Sequence, residues 1–379
     1  MTSKPLGVGV IGCGRWANWA HLPGWARDER CRIVGVCDVD PDRARQAADQ
    51  YGAVAARDYQ ELLKRDDIDI IDVVTRDSQH FEINMAALEA GKHVLSEKPV
   101  AHDFRDVRRA ADLARARGLK TKVGLTFRYS PAVRYLKDLV ARGDLGVPYI
   151  YNAYEQNSQW LDPQTPLRGS ERANDGPIQV ASLEGYGAPV IDIGHWLMDS
   201  DLTAVVGVLR NFVPERMIAA TGLMTRTNID DGDIFIGEFA SGAICSVQSS
   251  FVTVGNYPGI EVRVYGSGGA AIARLVQEFG ICETLKMARP DDVEFRDVEV
   301  PASYYPPGGS PREPWETLYY ANLTANFASE ILGEIEGNEG NFDDGLGVQE
   351  VINAVEISHR ERRWVTLPLD GQASATAPA

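Results

Sequence analysis

Short apolar runs punctuate the first third of the chain, near residues 7–11, 32–37, 69–75, 92–95 and 121–125, and amphipathic stretches such as 42–48 and 104–117 separate them. This alternation predicts a parallel, doubly wound sheet, because parallel neighbours need crossover connections and helices supply them. Beyond 143–148 the texture changes to longer strand-like stretches at 148–156, 203–212, 233–240, 243–252 and 260–265. Turn signals at Asp231-Gly232, Ser241-Gly242 and 266–269 break them, which predicts an antiparallel sheet built from hairpins. Helical patterns follow at 318–336 and 347–360, and the small-residue tail at 371–379 is expected to be disordered. The expected division is therefore 1–125, 126–370 and the tail, with an α/β fold.

The first apolar run breaks into Gly12-Cys13-Gly14-Arg15-Trp16-Ala17, and Asp38 closes the second run. Gly-x-Gly-x-x-Ala between a strand pattern and a helix pattern, with an acid at the end of the next strand, is the arrangement of a Rossmann dinucleotide-binding domain. Gly12 permits the tight turn, Gly14 lets backbone approach a pyrophosphate, and Ala17 allows close packing of helix on strand. Gly12, Gly14, Arg15 and Trp16 form the expected phosphate loop, and Asp38 is placed to accept hydrogen bonds from a ribose diol. The expected cofactor is NAD rather than NADP, since Asp38 repels a 2′-phosphate.

Composition narrows the remaining classes. A length of 379 residues accommodates two domains, and a net charge of −16 disfavours attraction to nucleic-acid phosphates or anionic lipid. No uninterrupted apolar segment matches a signal peptide or a membrane span, so a cytoplasmic protein with neither membrane nor nucleic-acid partner is expected. The five cysteines form no C-x-x-C pair, which suggests neither a disulfide framework nor a zinc site. Asp38-Val39-Asp40-Pro41-Asp42 opens like a calcium loop, but position six is Arg43 and no Glu closes it, so no metal is expected.

A second chemical signal is Glu97-Lys98-Pro99 after the run at 92–95. Ligands of open α/β sheets bind outside the carboxyl ends of the strands, which directs Lys98 toward the nicotinamide crevice. There it can donate to a substrate oxygen and act as a general base; the alternative is a solvated lysine paired with Glu97. Trp16, Trp19, Trp25 and His21 cluster early, as core packing or as an aromatic wall for a bulky substrate.

The combination of Gly12-x-Gly14, Asp38, 75–80, Ala90-Gly91-Lys92-His93-Val94, Glu97-Lys98-Pro99, 128–147, Phe239-Ala240-Ser241-Gly242-Ala243, Tyr265-Gly266-Ser267 with Gly269, and Asp344-Gly345 resembles the glucose-fructose oxidoreductase and inositol dehydrogenase family (Gfo/Idh/MocA) almost end to end. The resemblance implies a Rossmann domain followed by an α/β domain with a large open, mainly antiparallel sheet that often forms a dimer or tetramer interface. It also implies NAD(P)-dependent hydride transfer on a sugar, cyclitol or glycoside, with Lys98 near the reacting carbon and Pro99 commonly cis. Thr75 and His80 take the family's T-P-x-x-x-H position, where Arg76 replaces the proline. They are expected to contact the cofactor together with Glu97 and Lys98, although His80 can equally stabilise the following helix.

One departure concerns the family's D-x-x-x-H pair and the second Asp that follows it. Aligning Asp192 with the second Asp puts Gly185 at the first and Pro189 at the histidine, and proline exchanges no proton. The reaction then rests on Lys98 alone or with Tyr186, Glu184 or His195, Tyr186 being the first candidate. A shifted register restores Asp192 and His195 as the pair at one residue shorter spacing, while a structural role for His195 stays open. Two rival readings are a glycoside-cleaving enzyme that oxidises transiently with bound NAD, and a non-catalytic dinucleotide sensor.

Overall fold

The computed structural model describes residues 4–167, 177–254, 259–275 and 283–369; the tail at 371–379 lies outside them. The chain divides into two compact units, residues 4–130 with Tyr305–Leu346, and residues 131–304 with 347–369. The division falls just after the boundary expected at 126. It differs from an uninterrupted second domain in grouping Tyr305–Leu346 with the N-terminal residues.

The first unit is built on β1 (Leu6–Ile11), β2 (Cys31–Cys37), β3 (Val54–Ala56), β4 (Ile70–Val73), β5 (His93–Ser96) and β6 (Thr121–Val123). All pairings are parallel, and the order β3-β2-β1-β4-β5-β6 reverses direction between β1 and β4. Such a reversal opens a crevice at the carboxyl ends of the central strands. The short β3 was not expected, because Val54-Ala55-Ala56 has too little apolar length to stand out. Crossover helices begin at capping acids: Asp40 accepts from the Asp42 amide before Pro41–Tyr51, and Asp103 from the Arg105 amide before Phe104–Ala116. The helix Trp315–Leu332 joins this unit and buries Tyr319, Tyr320, Leu323 and Phe327 completely. Gly24 permits its approach, since a Cβ there would lie 3.2 Å from the Tyr320 carbonyl. Lys122 of β6 is fully buried and fastens the same helix through Glu330 at 2.8 Å and Asn326 at 2.7 Å.

The second unit carries β7 (Pro148–Gln156), β8 (Leu202–Arg210), β9 (Glu215–Met217), β10 (Met224–Arg226), β11 (Gly232–Phe239), β12 (Ile244–Ser250), β13 (Ile260–Gly266), β14 (Gly269–Leu275), β15 (Glu283–Ala288), β16 (Arg296–Val298) and β17 (Val365–Thr366). β9 and β10 form a separate hairpin, and the others make a nine-stranded sheet in the order β16-β15-β14-β13-β7-β12-β11-β8-β17. Only β7 and β12 pair parallel. One face is covered by helices. Tyr151 of β7 donates to the Val190 carbonyl at 2.6 Å, and a Cβ on Gly194 would meet the Tyr151 ring, so the helix Ala188–Met198 lies directly on the sheet. The other face exposes Val208, Ile234, Ile236 and Ile244, and a groove of about 500 Å³ runs over β8 and β11. Cys13, Cys31, Cys37 and Cys245 are buried free thiols. No helix among the described residues is long and apolar enough to cross a membrane.

Candidate functional site

The glycine loop leaves β1 with Gly12 at φ +98°, and a Cβ there would stand 2.4 Å from the Val74 carbonyl oxygen. Only glycine satisfies both demands. A Cβ on Gly14 would meet nothing within 4 Å, so that backbone faces open space where a bulky anion can approach. Asp38 ends β2 beside the loop, where its Oδ2 accepts from the Cys13 amide at 2.7 Å and its Oδ1 from the Asp40 amide at 2.8 Å. These hydrogen bonds anchor a carboxylate at the position the ribose reading requires. A dinucleotide therefore fits the carboxylate acceptor and the open backbone present. Arg15 stacks its guanidinium over Trp19, 3.7 Å from the ring centroid.

The turn after β5 holds Lys98, and the Lys98–Pro99 peptide is cis, as the resemblance implied. His80 is buried beneath it, with Nδ1 donating to the Pro99 carbonyl at 2.7 Å and Nε2 lying 3.2 Å from the Thr75 carbonyl. Its ring nitrogens tie this turn to the chain just after β4.

Glu97 is likewise engaged inside the protein. Its Oε1 accepts from Trp16 Nε1 at 3.0 Å, from the Tyr320 hydroxyl, and from His21 Nε2 at 3.2 Å, while its Oε2 accepts from the Lys98 amide at 3.1 Å. His21 in turn places Nδ1 2.9 Å from Asp72 Oδ2, which also accepts from Trp25 Nε1 at 2.7 Å. His21, Asp72 and Trp25 are wholly buried. Trp25 is therefore core, whereas Trp19 is exposed. Burial alone pushes the His21 imidazolium down, but the Asp72 charge and hydrogen bonds to Asp72 and Glu97 outweigh it and raise it to about 9. For Glu97, burial pushes the carboxyl up, yet His21, Lys98 and Tyr320 bring it down to about 2. In the sequence His21 stands out only within a tryptophan cluster, and Tyr320 does not stand out at all. The available signal was Asp72 inside the apolar run Ile70-Ile71-Asp72-Val73, since an acid on a buried strand needs partners.

In the second unit a π-helical turn, Leu183–Gly187, leads into the helix Ala188–Met198. Asp230 holds its start, accepting from the Ala181 amide, from the Ser182 amide at 3.2 Å and from the Leu183 amide at 3.0 Å. Burial pushes the Asp230 carboxyl up to about 6, against the opposing pull of those amides. Asp233, raised further by burial and by Asp230, accepts from the Ser249 hydroxyl. Tyr186 is half-buried and donates to Gln159 Oε1 at 2.9 Å, with Trp160 and Phe251 packed around its ring. Glu184 is buried and accepts from Gln349 Nε2 at 3.2 Å. Asp192 is buried on the helix, and His195 Nδ1 lies 3.9 Å from Asp201 Oδ1.

Residues 6–125 match the profile described as "Oxidoreductase family, NAD-binding Rossmann fold", and residues 133–272 match the "GFO/IDH/MocA C-terminal domain". A levoglucosan dehydrogenase of Pseudarthrobacter phenanthrenivorans is 25% identical over 96% of this chain and 98% of its own length. An inositol 2-dehydrogenase/D-chiro-inositol 3-dehydrogenase of Lactiplantibacillus plantarum is 27% identical over 86% and 91%. The crystal structure of an oxidoreductase domain protein from Kribbella flavida superposes with a TM-score of 0.85 at 28% identity, covering 96% of this chain and all of that one. With glycine loop, Asp38 and Glu97-Lys98-Pro99 each in its expected place on the sheet, the chain belongs to the Gfo/Idh/MocA oxidoreductases, and its N-terminal domain is the family's NAD-binding Rossmann fold.

Proposed function

We propose that this protein moves a hydride between NAD and a carbinol or keto carbon of a sugar, cyclitol or glycoside, with Lys98 holding the reacting oxygen. The observation that carries this reading is the turn of Lys98 at the carboxyl end of β5, joined to the glycine loop through the Trp16–Glu97 hydrogen bond. Relatives named for levoglucosan and inositol support the polyol-like substrate class. Gly12, Gly14, Arg15 and Trp16 would hold the phosphates, Asp38 the adenosine ribose, and Thr75 the inner edge of the cofactor. Asp38 also favours NAD over its 2′-phosphorylated form. Bound NAD supplies the carbon that accepts or returns hydride. Lys98 orients the substrate oxygen and takes or returns its proton at Nζ, while His80 and Glu97 brace the turn from within. The candidates for a second proton group are Tyr186 first, then His195, with Asp192 on the same helix. Tyr186 ranks first because its phenol makes a solvent-exposed hydrogen bond to Gln159, whereas Asp192 is buried.

The outward sheet face supports a homodimer or homotetramer, since its exposed isoleucines and valines are the side chains a second copy would cover.

Replacing Lys98 by Met tests the chemistry. NAD affinity should stay near that of the unaltered protein in a fluorescence titration, while turnover with a panel of sugars and cyclitols should fall by roughly 10²–10⁴-fold. Unchanged turnover would remove Lys98 from the reaction.

A further inference from the structure

Lys98 stands beside a buried network in which one imidazole faces two carboxylates. His21 Nδ1 lies 2.9 Å from Asp72 Oδ2 and Nε2 lies 3.2 Å from Glu97 Oε1. Ionised carboxylates only accept hydrogen bonds, so both ring nitrogens must carry protons to satisfy this geometry. The remaining polar groups around the ring come from every neighbouring element. Trp25 Nε1 donates to Asp72 of β4, while Trp16 Nε1 and the Tyr320 hydroxyl from helix Trp315–Leu332 donate to Glu97. Lys98 itself donates its amide to Glu97. None of the indole, phenol and amide donors carries charge; apart from the Lys98 ammonium itself, His21 is the cation that faces these carboxylates.

We propose that His21, held as an imidazolium between Asp72 and Glu97, is a positioning residue whose charge sets the electrostatic field at Lys98. With His21 charged, the two buried carboxylates leave one net negative charge beneath the turn. Without that charge they leave two, and the lysine proton is held more tightly. The raised His21 value of about 9 and the lowered Glu97 value of about 2 agree with this geometry. The device sits among Trp16 of the glycine loop, Asp72 of β4 and Lys98 after β5, so it also fixes the relative placement of the three segments that line the crevice. The link to catalysis rests on the role proposed above for Lys98.

Two substitutions separate charge from hydrogen bonding. H21Q keeps an N–H donor for Glu97 but removes the cation, leaving two net negative charges. D72N removes an anion, lets His21 become neutral, and leaves one, as in the unaltered protein; its amide can still accept from Trp25 and donate to His21 Nδ1. The first readout needs no turnover: amine-reactive labelling of Lys98 across pH, followed by mass spectrometry of the intact, NAD-free protein. H21Q should move the Lys98 profile upward by about one pH unit, making labelling near pH 8 about tenfold slower, whereas D72N should leave it in place. Nitrogen-15 spectra of the six histidines should show one imidazolium persisting above pH 8 that disappears in H21Q. In turnover, the alkaline rise of kcat/KM should shift with H21Q alone. Equal shifts in both variants, or no shift in either, would overturn the proposal. If labelling shifts as expected while the Lys98→Met protein keeps its turnover, the field stands and the catalytic reading of Lys98 falls.

Discussion

At the scale of single residues, the environments of Tyr186 and His195 decide what each side chain can exchange. The Tyr186 phenol is half-buried and already donates to Gln159, so it can turn toward another oxygen at the cost of one neutral hydrogen bond, about 1 kcal/mol. His195 packs against Phe239 in the last turn of its helix. Tyr186→Phe should therefore lower turnover by roughly tenfold or more with little change in melting temperature, as expected for a lost proton donor. His195→Ala should mainly lower the melting temperature. Steady-state kinetics and thermal melts on both proteins check this, and the reverse pattern would favour the shifted register in which Asp192 and His195 act together.

At the scale of elements, the π-helical turn Leu183–Gly187 and the acids behind it form one unit. A π turn carries an extra residue relative to an α turn, so counting at 3.6 residues per turn across it shifts one side by a position. This is why the sequence alone left the register of 184–198 open. Asp230 spans three amides before that turn, and its charge helps to push the neighbouring Asp233 carboxyl up. Asp230→Ala should cost roughly 1–2 kcal/mol, the range for losing a helix cap. The carboxyl is raised to about 6 in the folded chain, above its ordinary 3.8, so the folded state binds the proton more tightly. That contribution is fully present below pH 3.8 and is lost as pH rises through about 6. Asp230→Asn, which does not titrate, should thus gain on the unaltered protein between pH 4 and pH 7 in denaturant titrations. A gap that stays constant, or widens the other way, would show that Asp230 is not the titrating group.

At the scale of the whole molecule, the nine-stranded sheet leaves one face without helices. Val208, Ile234, Ile236 and Ile244 stand exposed on it, in a chain of net charge −16 whose surface is otherwise well supplied with charge. Paired glutamates at Ile234 and Ile236 would put like charges on the proposed self-contact and leave the covered face untouched. Light scattering should report a dimer or tetramer for the unaltered protein and a monomer for the double variant, with the far-ultraviolet circular dichroism unchanged. A monomer in both would end the oligomer reading.

Local physics was enough to determine five of the six strands of the Rossmann unit, Gly12, Asp38 and the turn of Lys98. Strand and helix periodicities, positive φ at a glycine and an acid after a strand are properties of a few neighbouring residues. The sheet strands at 148–156 and 260–265 were legible for the same reason, since alternation records one buried face. The network of Trp16, His21, Asp72, Glu97 and Tyr320 is different in kind, because its members lie as far as 304 positions apart, between Trp16 and Tyr320. Only the packing of helix Trp315–Leu332 against residues 17–27 brings that tyrosine to that carboxylate. Likewise, whether His80 and Glu97 face a ligand or brace a turn depends on which carbonyls and rings surround them. The sequence by itself determined which backbone shapes form and where a phosphate loop lies; tertiary structure decided which buried charges neighbour one another, because burial and partners are set by contacts that no short window of sequence contains.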